Sequence, residues 1–321
     1  MKLRLRSLIG IVLALPLAGV CQNYPVKPVK LVVPFPAAGS ADLTARLIAG
    51  KLSERLGQPV VIDNRMGASG MIGTEYVVRA ASDGYTILMT TSSSLISAVF
   101  LTRNPPYDPV RDLSAITAAA DSATGLVIAP SLPVGSLAEL ISYARRNPGK
   151  LTFSSSGIGS AFHLTGELFK LAGQLDITHV PYKGAGQALT DLMSGTIAMT
   201  FSTLGSQLSH IRSGKVRLIA VLDAKRYPAF PEVPAAVEQL PDFVRPDSWM
   251  GFFGPAALPS ALVQRINAEV VGAINSAEVK KKLEDDGFSP IANSPEQFGA
   301  MVRSGMEVYA KAVKAAGLKP E

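Results

Sequence analysis

Short β-branched runs alternate along this chain with glycine-rich turns and with longer segments whose apolar residues recur every three or four positions. Leu31-Val32-Val33 stops at Pro34, and Leu43, Leu47, Ile48, Leu52 and Leu56 then recur at helical spacing until Gly57. Residues 60–62 and 85–89 predict further strands, the second opened by the Asp83-Gly84 turn, and the Pro-rich stretch 104–109 is a surface connection. The alternation restarts at Leu126-Val127-Ile128. Ser136 and Glu139 form a capping box for a helix ending at Asn147, and a strand over 151–154, a Gly/Ser loop and a helix over 161–172 follow. Strands over 178–180, 197–201 and 216–222 complete a second unit, and residues 249–253 give one more after a Pro-rich loop. The tail is helical over 260–275, 278–284 and a last helix opened by Ser294-Pro295-Glu296-Gln297, which combines an N-cap, Pro at N1 and Gln at N3. This order specifies an α/β protein with mostly parallel sheets.

The N-terminus reads differently. Lys2, Arg4 and Arg6 precede an uncharged run from Leu8 to Val20, too short for the roughly 20 residues of a membrane span but right for the apolar core of an export signal. Two cleavage patterns compete. Gly19-Val20-Cys21 suits ordinary signal peptidase and a mature chain from near Gln22, whereas Leu17-Ala18-Gly19-Val20-Cys21 is an interrupted lipobox that would tether the protein by a lipid on Cys21. Either way the expected location is the periplasm. Removing the three basic residues lowers the formal charge from +6 to +3, and the remaining cations are scattered among acids. No basic stripe interleaved with aromatics is present, which argues against nucleic-acid binding. The single Cys excludes a disulfide framework or a Cys-rich metal site, and His163, His179 and His210 are not spaced as a zinc pair. The 321 residues allow about two domains.

Four segments carry candidate chemistry. Pro34 to Asp42, with Phe35, Ala37, Ala38, Gly39 and Ser40, lies between a strand and a helix, where backbone N–H groups and the helix dipole converge on one spot suited to an anion. Ser40 as helix cap and Asp42 as dipole complement is the structural alternative. Neither GxGxxG nor a P-loop is present. The loop from Ser154 to His163 again joins strand to helix and gathers Ser154, Ser155, Gly159 and Ser160; its glycines would admit an anion to backbone N–H groups. A hydrolase would use one of these Ser with His163 as base, but GxSxG is absent and binding is the preferred reading. Tyr182 and Lys183 follow a strand end, the lysine pairing with an anion or pointing into water. Thr91 and Ser92 close the strand that ends in a run of hydroxyls, lining a cleft or capping a helix. Trp249 is assigned to core packing.

These segments resemble a known family. Val33-Pro34-Phe35-Pro36 with Gly39 and Asp42, Asp63-Asn64-Arg65, Asp83-Gly84-Tyr85-Thr86, Asn147-Pro148-Gly149-Lys150-Leu151, the Ser154–Leu164 loop, His179–Gly184 and Trp249-Met250-Gly251 are similar, in collinear order, to the Bug family. These are extracytoplasmic solute receptors of tripartite tricarboxylate transporters. The resemblance implies a class II periplasmic-binding-protein fold whose two α/β lobes, joined by crossing hinge strands, close over a small carboxylate. It puts residues 24–121 and 225–321 in the first lobe and 122–224 in the second. It implies ligand contacts from Phe35 to Asp42 and from Ser154 to His163, with the ligand's distal end near Phe201-Ser202-Thr203, where Ser202 is the candidate and no charged side chain is evident. Dicarboxylates and aromatic acids fit that environment; an amino acid fits poorly. The chain departs from the usual Pro-Gly-Gly at Ala37-Ala38-Gly39, where Ala38 restricts the loop. The implied partners are membrane permease subunits, or alternatively a signalling protein to which a sensor of the same fold presents its ligand. No enzymatic activity, metal or cofactor is implied.

Overall fold

The β-branched run at Leu31 forms β1 (Val29–Val33), which leads through the proline-flanked turn into α1 (Ser40–Leu56), ended by Gly57 in the left-handed conformation. The computed structural model describes residues 24–182 and 185–320. The export segment, Cys21, Lys183 and Gly184 lie outside the described residues. β2 (Val60–Asn64), α2 (Met71–Val78), β3 (Thr86–Thr91), the short α3 (Ala98–Phe100) and β4 (Leu113–Ser122) follow. The chain then enters a second lobe made of β5 (Thr124–Ile128), α4 (Leu137–Arg146), β6 (Leu151–Ser155), α5 (Ala161–Gly173), β7 (Ile177–Pro181), α6 (Ala185–Ser194), β8 (Met199–Thr203), α7 (Leu204–Arg212) and β9 (Arg217–Val221). It returns through a long connection to β10 (Trp249–Pro255), α8 (Ser260–Ile274), α9 (Ala277–Asp285), β11 (Phe288–Pro290) and α10 (Pro295–Ala315).

One sheet has the order β11-β4-β10-β3-β1-β2 and the other β7-β6-β8-β5-β9. Neither is mostly parallel. β1 pairs in parallel with β2 and β3, and β6 with β7 and β8, but β10 runs antiparallel to β3 and β4, and β5 antiparallel to β8 and β9. The antiparallel ladders arise at the strands that carry the chain between lobes. β4 passes into β5 through Ala123, and the return passes through residues 222–248 into β10.

Both faces of the first sheet are covered. Leu31, Val33, Ile87, Met89 and Phe252 belong to one core, packed with α1 and α8, and Val32, Leu88 and Phe253 belong to another that includes Phe298 and Val302 of α10. Trp249 is fully buried, edge-on to Phe298 at 5.0 Å, while Phe298 occupies the space a Cβ on Gly251 would need. Core packing is therefore what Trp249 does. An indole of this size buries roughly 200 Å², on the order of 5 kcal/mol before its unpaired N–H is counted. The capping box before α10 forms reciprocally: Gln297 N–H donates to Ser294 Oγ at 3.2 Å, and Ser294 N–H to Gln297 Oε1 at 3.1 Å.

A buried ionic cluster marks the crossing. Arg245, on the returning connection, meets Asp121 at the end of β4 at 2.5 Å and also Asp223 just after β9. Burial outweighs this pairing at Asp223 and raises its pKa; burial and the Asp121 charge push the neighbouring Asp247 carboxyl up to about 6.

Candidate functional site

The first loop is held by its own acid. Asp42 is fully buried and accepts from Ala38 N–H at 2.9 Å, Arg46 Nε at 2.8 Å and Asn64 Nδ2 at 2.8 Å. Arg46 is the main reason its pKa falls to about 2, with Asn64 and Ala38 adding to it against the opposing effect of burial. Both Asp42 oxygens are engaged by these groups and the side chain is fully buried, so the structure favours the structural reading of Asp42 over the ligand-contact one. Ala38 adopts a left-handed φ of 64°, the conformation a glycine would take without strain. Gly39 has an ordinary extended φ of −72° and donates its N–H to Pro36 O at 3.3 Å.

The second loop is tied just as tightly. Gly159 N–H donates to His163 Nδ1 at 3.1 Å, which fixes that imidazole with its proton on Nε2. His163 stacks on His179 with ring centroids 3.9 Å apart, and His179 Nε2 lies 2.7 Å from Ser155 Oγ. Burial lowers both histidines to about 4, so the pair is neutral at pH 7. Ser155 also accepts from Gly157 N–H, and among the described residues no acid hydrogen-bonds His179; the pair braces the loop rather than forming a nucleophile. Ser160 caps α5 by accepting from His163 N–H at 3.2 Å. The N–H groups of Gly39 and Gly159 are themselves bonded internally, so neither is free for an anion. The donors left over are the N–H groups of Ser40, Ala41 and Asp42 in the first turn of α1 and of Ala161 and Phe162 in that of α5, which have no intrahelical acceptor.

The two loops flank two cavities that share Ser93. One, of about 390 Å³, is bounded by Phe35, Ser94, Ser97, Leu101, Gly159 and Ser160. The other, of about 950 Å³, lies against Ser40, Ala41 and Thr44 of α1, Phe162 of α5, Thr91 and Thr203. Both lobes contribute to each. The lobes also touch directly: Ser97 Oγ donates to Gly159 O at 2.8 Å, and a Cβ on Gly205 would come within 2.7 Å of Gly287 Cα.

Several residues chosen from sequence point elsewhere. Ser92 is buried and donates to Asp247 O at 2.6 Å while accepting from Tyr309, which pins α10 to the crossing. Ser154 and Ser202 hold their hydroxyls in the interior without hydrogen-bond partners. Tyr182 donates its hydroxyl to Asp191 at 2.6 Å, and burial, with that acid adding to it, moves its pKa up to about 12. Ala37 and Ala38 are exposed and line neither cavity. In two places the cleft-facing group is the neighbour of the one expected: Ser93 beside Ser92 and Thr203 beside Ser202. At Thr203 the reason is the strand's alternation of faces.

Comparison with known proteins bears on the fold and the family. Residues 44–318 match the family described as Tripartite tricarboxylate transporter family receptor. Protein BugT of Bordetella pertussis is 36% identical over 324 residues, covering 98% of each chain. An R. palustris protein solved with adipate is 36% identical, with a TM-score of 0.76 over 93% of this chain and all of its own. MatC of Rhodopseudomonas palustris, solved with bound malate, is 30% identical, with a TM-score of 0.72 over 90% of this chain and all of its own. The two-lobed fold is that of periplasmic solute-binding receptors, which bind ligands and are not enzymes. Among the described residues no helix is long and apolar enough to cross a membrane. This chain belongs to the tripartite tricarboxylate transporter receptor family, that of the Bug proteins.

Proposed function

We propose that this chain is an exported periplasmic receptor that captures a small organic carboxylate by lobe closure and delivers it to the permease subunits of a tripartite transporter. The lobes are taken as 24–121 with 225–321, and 122–224. The observation that carries the reading is the convergence of the first turns of α1 and α5 on one cleft, with Ser40, Thr91, Ser93 and Thr203 hydroxyls around it. Unpaired N–H donors and aligned peptide dipoles favour an anion, and the neutral histidines add no competing charge requirement. The relatives solved with adipate and malate support the same ligand chemistry.

Capture follows from geometry. A carboxylate seated between the two helix starts bridges lobes that already meet through Ser97 and Gly159, so binding favours the closed arrangement while rotation is absorbed at Ala123 and residues 222–248. Thermal shift of purified protein against organic acids, amines and sugars tests it, since a ligand of the native state raises stability by RT ln(1 + [L]/Kd). Small carboxylates should stabilise and amines or neutral sugars should not; stabilisation by a sugar while every carboxylate fails would overturn the reading.

A further inference from the structure

We infer that the carboxylate taken by the larger cavity is a monocarboxylate with an apolar body of about arene size, rather than a short dicarboxylate. This inference rests on the carboxylate reading and specifies the ligand of that same cleft.

The cavity has one anion-seeking end and an apolar wall. The donor end is the first turns of α1 and α5, represented in the lining by Ser40, Ala41 and Phe162. From there Leu43 and Leu47 continue along the same cavity, about 4.5 and about 10 Å from Ser40 along the helix axis at 1.5 Å per residue. Met250 and Phe288 extend the wall from the other side, and Phe162 adds a ring in the second lobe. Leu43 is 57% exposed in a helix whose other apolar residues are mostly buried. An apolar body held with its carboxylate at the helix starts would cover that side chain.

Charge accounting leads to the same class. Two cations line the cavity, and each has its own carboxylate. Arg46 gives Nε to Asp42 and Nη2 to Asn64, and Lys282 Nζ is 2.5 Å from Asp286. The remaining lining acid, Asp285, is paired with Lys281 at 2.7 Å. Among the described residues no unpaired cation faces the wall. A second carboxylate extending from the helix starts would therefore lie against Leu43, Leu47 and Met250, or reach only the neutral hydroxyls of Thr44, Ser122 and Ser248, and would lose hydration without gaining a cationic partner. The volume of about 950 Å³ also far exceeds what a four-carbon diacid fills.

Calorimetry on the full mature protein with two probes, 3-phenylpropionate and adipate, tests the inference. Wild type should bind 3-phenylpropionate at least about tenfold more tightly than adipate. Leu43→Lys, a surface substitution that places a cation on the wall, should move this ratio toward adipate by at least about tenfold, with circular dichroism unchanged. A wild-type ratio below tenfold, or an unchanged ratio in Leu43→Lys, overturns the inference while carboxylate capture stands. Binding of neither probe nor any other carboxylate overturns both.

Discussion

Replacing Arg245 by Met tests the ionic cluster where the chain crosses between lobes. The guanidinium donates Nε to Asp223 Oδ1 at 2.8 Å, Nη1 to Pro246 O at 3.0 Å and Nη2 to Asp121 Oδ2 at 2.5 Å, and its side chain is only 8% exposed. Met keeps most of the apolar volume but leaves Asp121 and Asp223 facing Asp247 without a cation. Breaking a buried pair by removing one partner costs about 3–5 kcal/mol; because both acids remain about a quarter exposed, the low end, near 3 kcal/mol, is expected here. The loss should depend on pH with a definite sign. Without Arg245 the Asp223 carboxyl, already raised by burial, loses its opposing cation and climbs further, so stability is lost as pH rises through its folded-state pKa and regained as pH falls. Urea unfolding between about pH 7.5 and pH 5 should therefore show the deficit of Arg245→Met shrinking toward acid. Adding Asp121→Asn and Asp223→Asn should recover much of it at neutral pH. A loss under about 1 kcal/mol at neutral pH, or one that does not change with pH, would refute the claim that this arginine holds the crossing together.

Ala38→Gly should stabilise the protein by about 0.5–1 kcal/mol in the same urea assay, because relief of a left-handed alanine exceeds the added freedom of glycine in the unfolded chain. Gly159→Ala faces both a φ of +74° and contact of its Cβ with Leu101 of the other lobe; calorimetry should show carboxylate affinity falling roughly tenfold, and Leu101→Ala in the same protein should restore part of it. Asp247→Asn should gain on the order of 1–2 kcal/mol near pH 7.5 and nothing near pH 4, since a carboxyl raised to about 6 makes the wild type less stable as pH rises from about 4 to about 6; equal stability of mutant and wild type at both pH values would remove the argument.

Much of the fold was legible because its signals are local. β-branched runs bounded by Pro and Gly, the Ser294 box and the helical recurrence of apolar residues in α1 all act within a few residues. β4 was missed because Leu113–Ser122 is rich in Ala and Ser, weak strand formers; only its place in the middle of a sheet, between β10 and β11, makes it a strand. The parallel expectation failed for a related reason: strand direction is set by where the chain enters each lobe, which no local pattern records. At the site, the two strand-to-helix loops were visible from residue types, but side-chain direction was not. Ser92 and Ser202 have the right chemistry and lie one residue from Ser93 and Thr203, which face the cleft. Gly159 was read as a place for an anion to approach, whereas its neighbour is Leu101, 58 positions earlier in the numbering and packed against it only after the lobes meet.

The Gly205–Gly287 approach offers a use of its own. Two backbones from different lobes lie in contact there, beside the exposed residues Ser206 and Asp286, which sit far apart in sequence yet edge the same large cavity. A hinge rotation that opens the cleft changes the separation across this seam, and the contact there is between backbones rather than between the two flanking side chains. A donor dye at one position and an acceptor at the other would turn ligand uptake into an optical signal, making the receptor a reagentless sensor for organic acids.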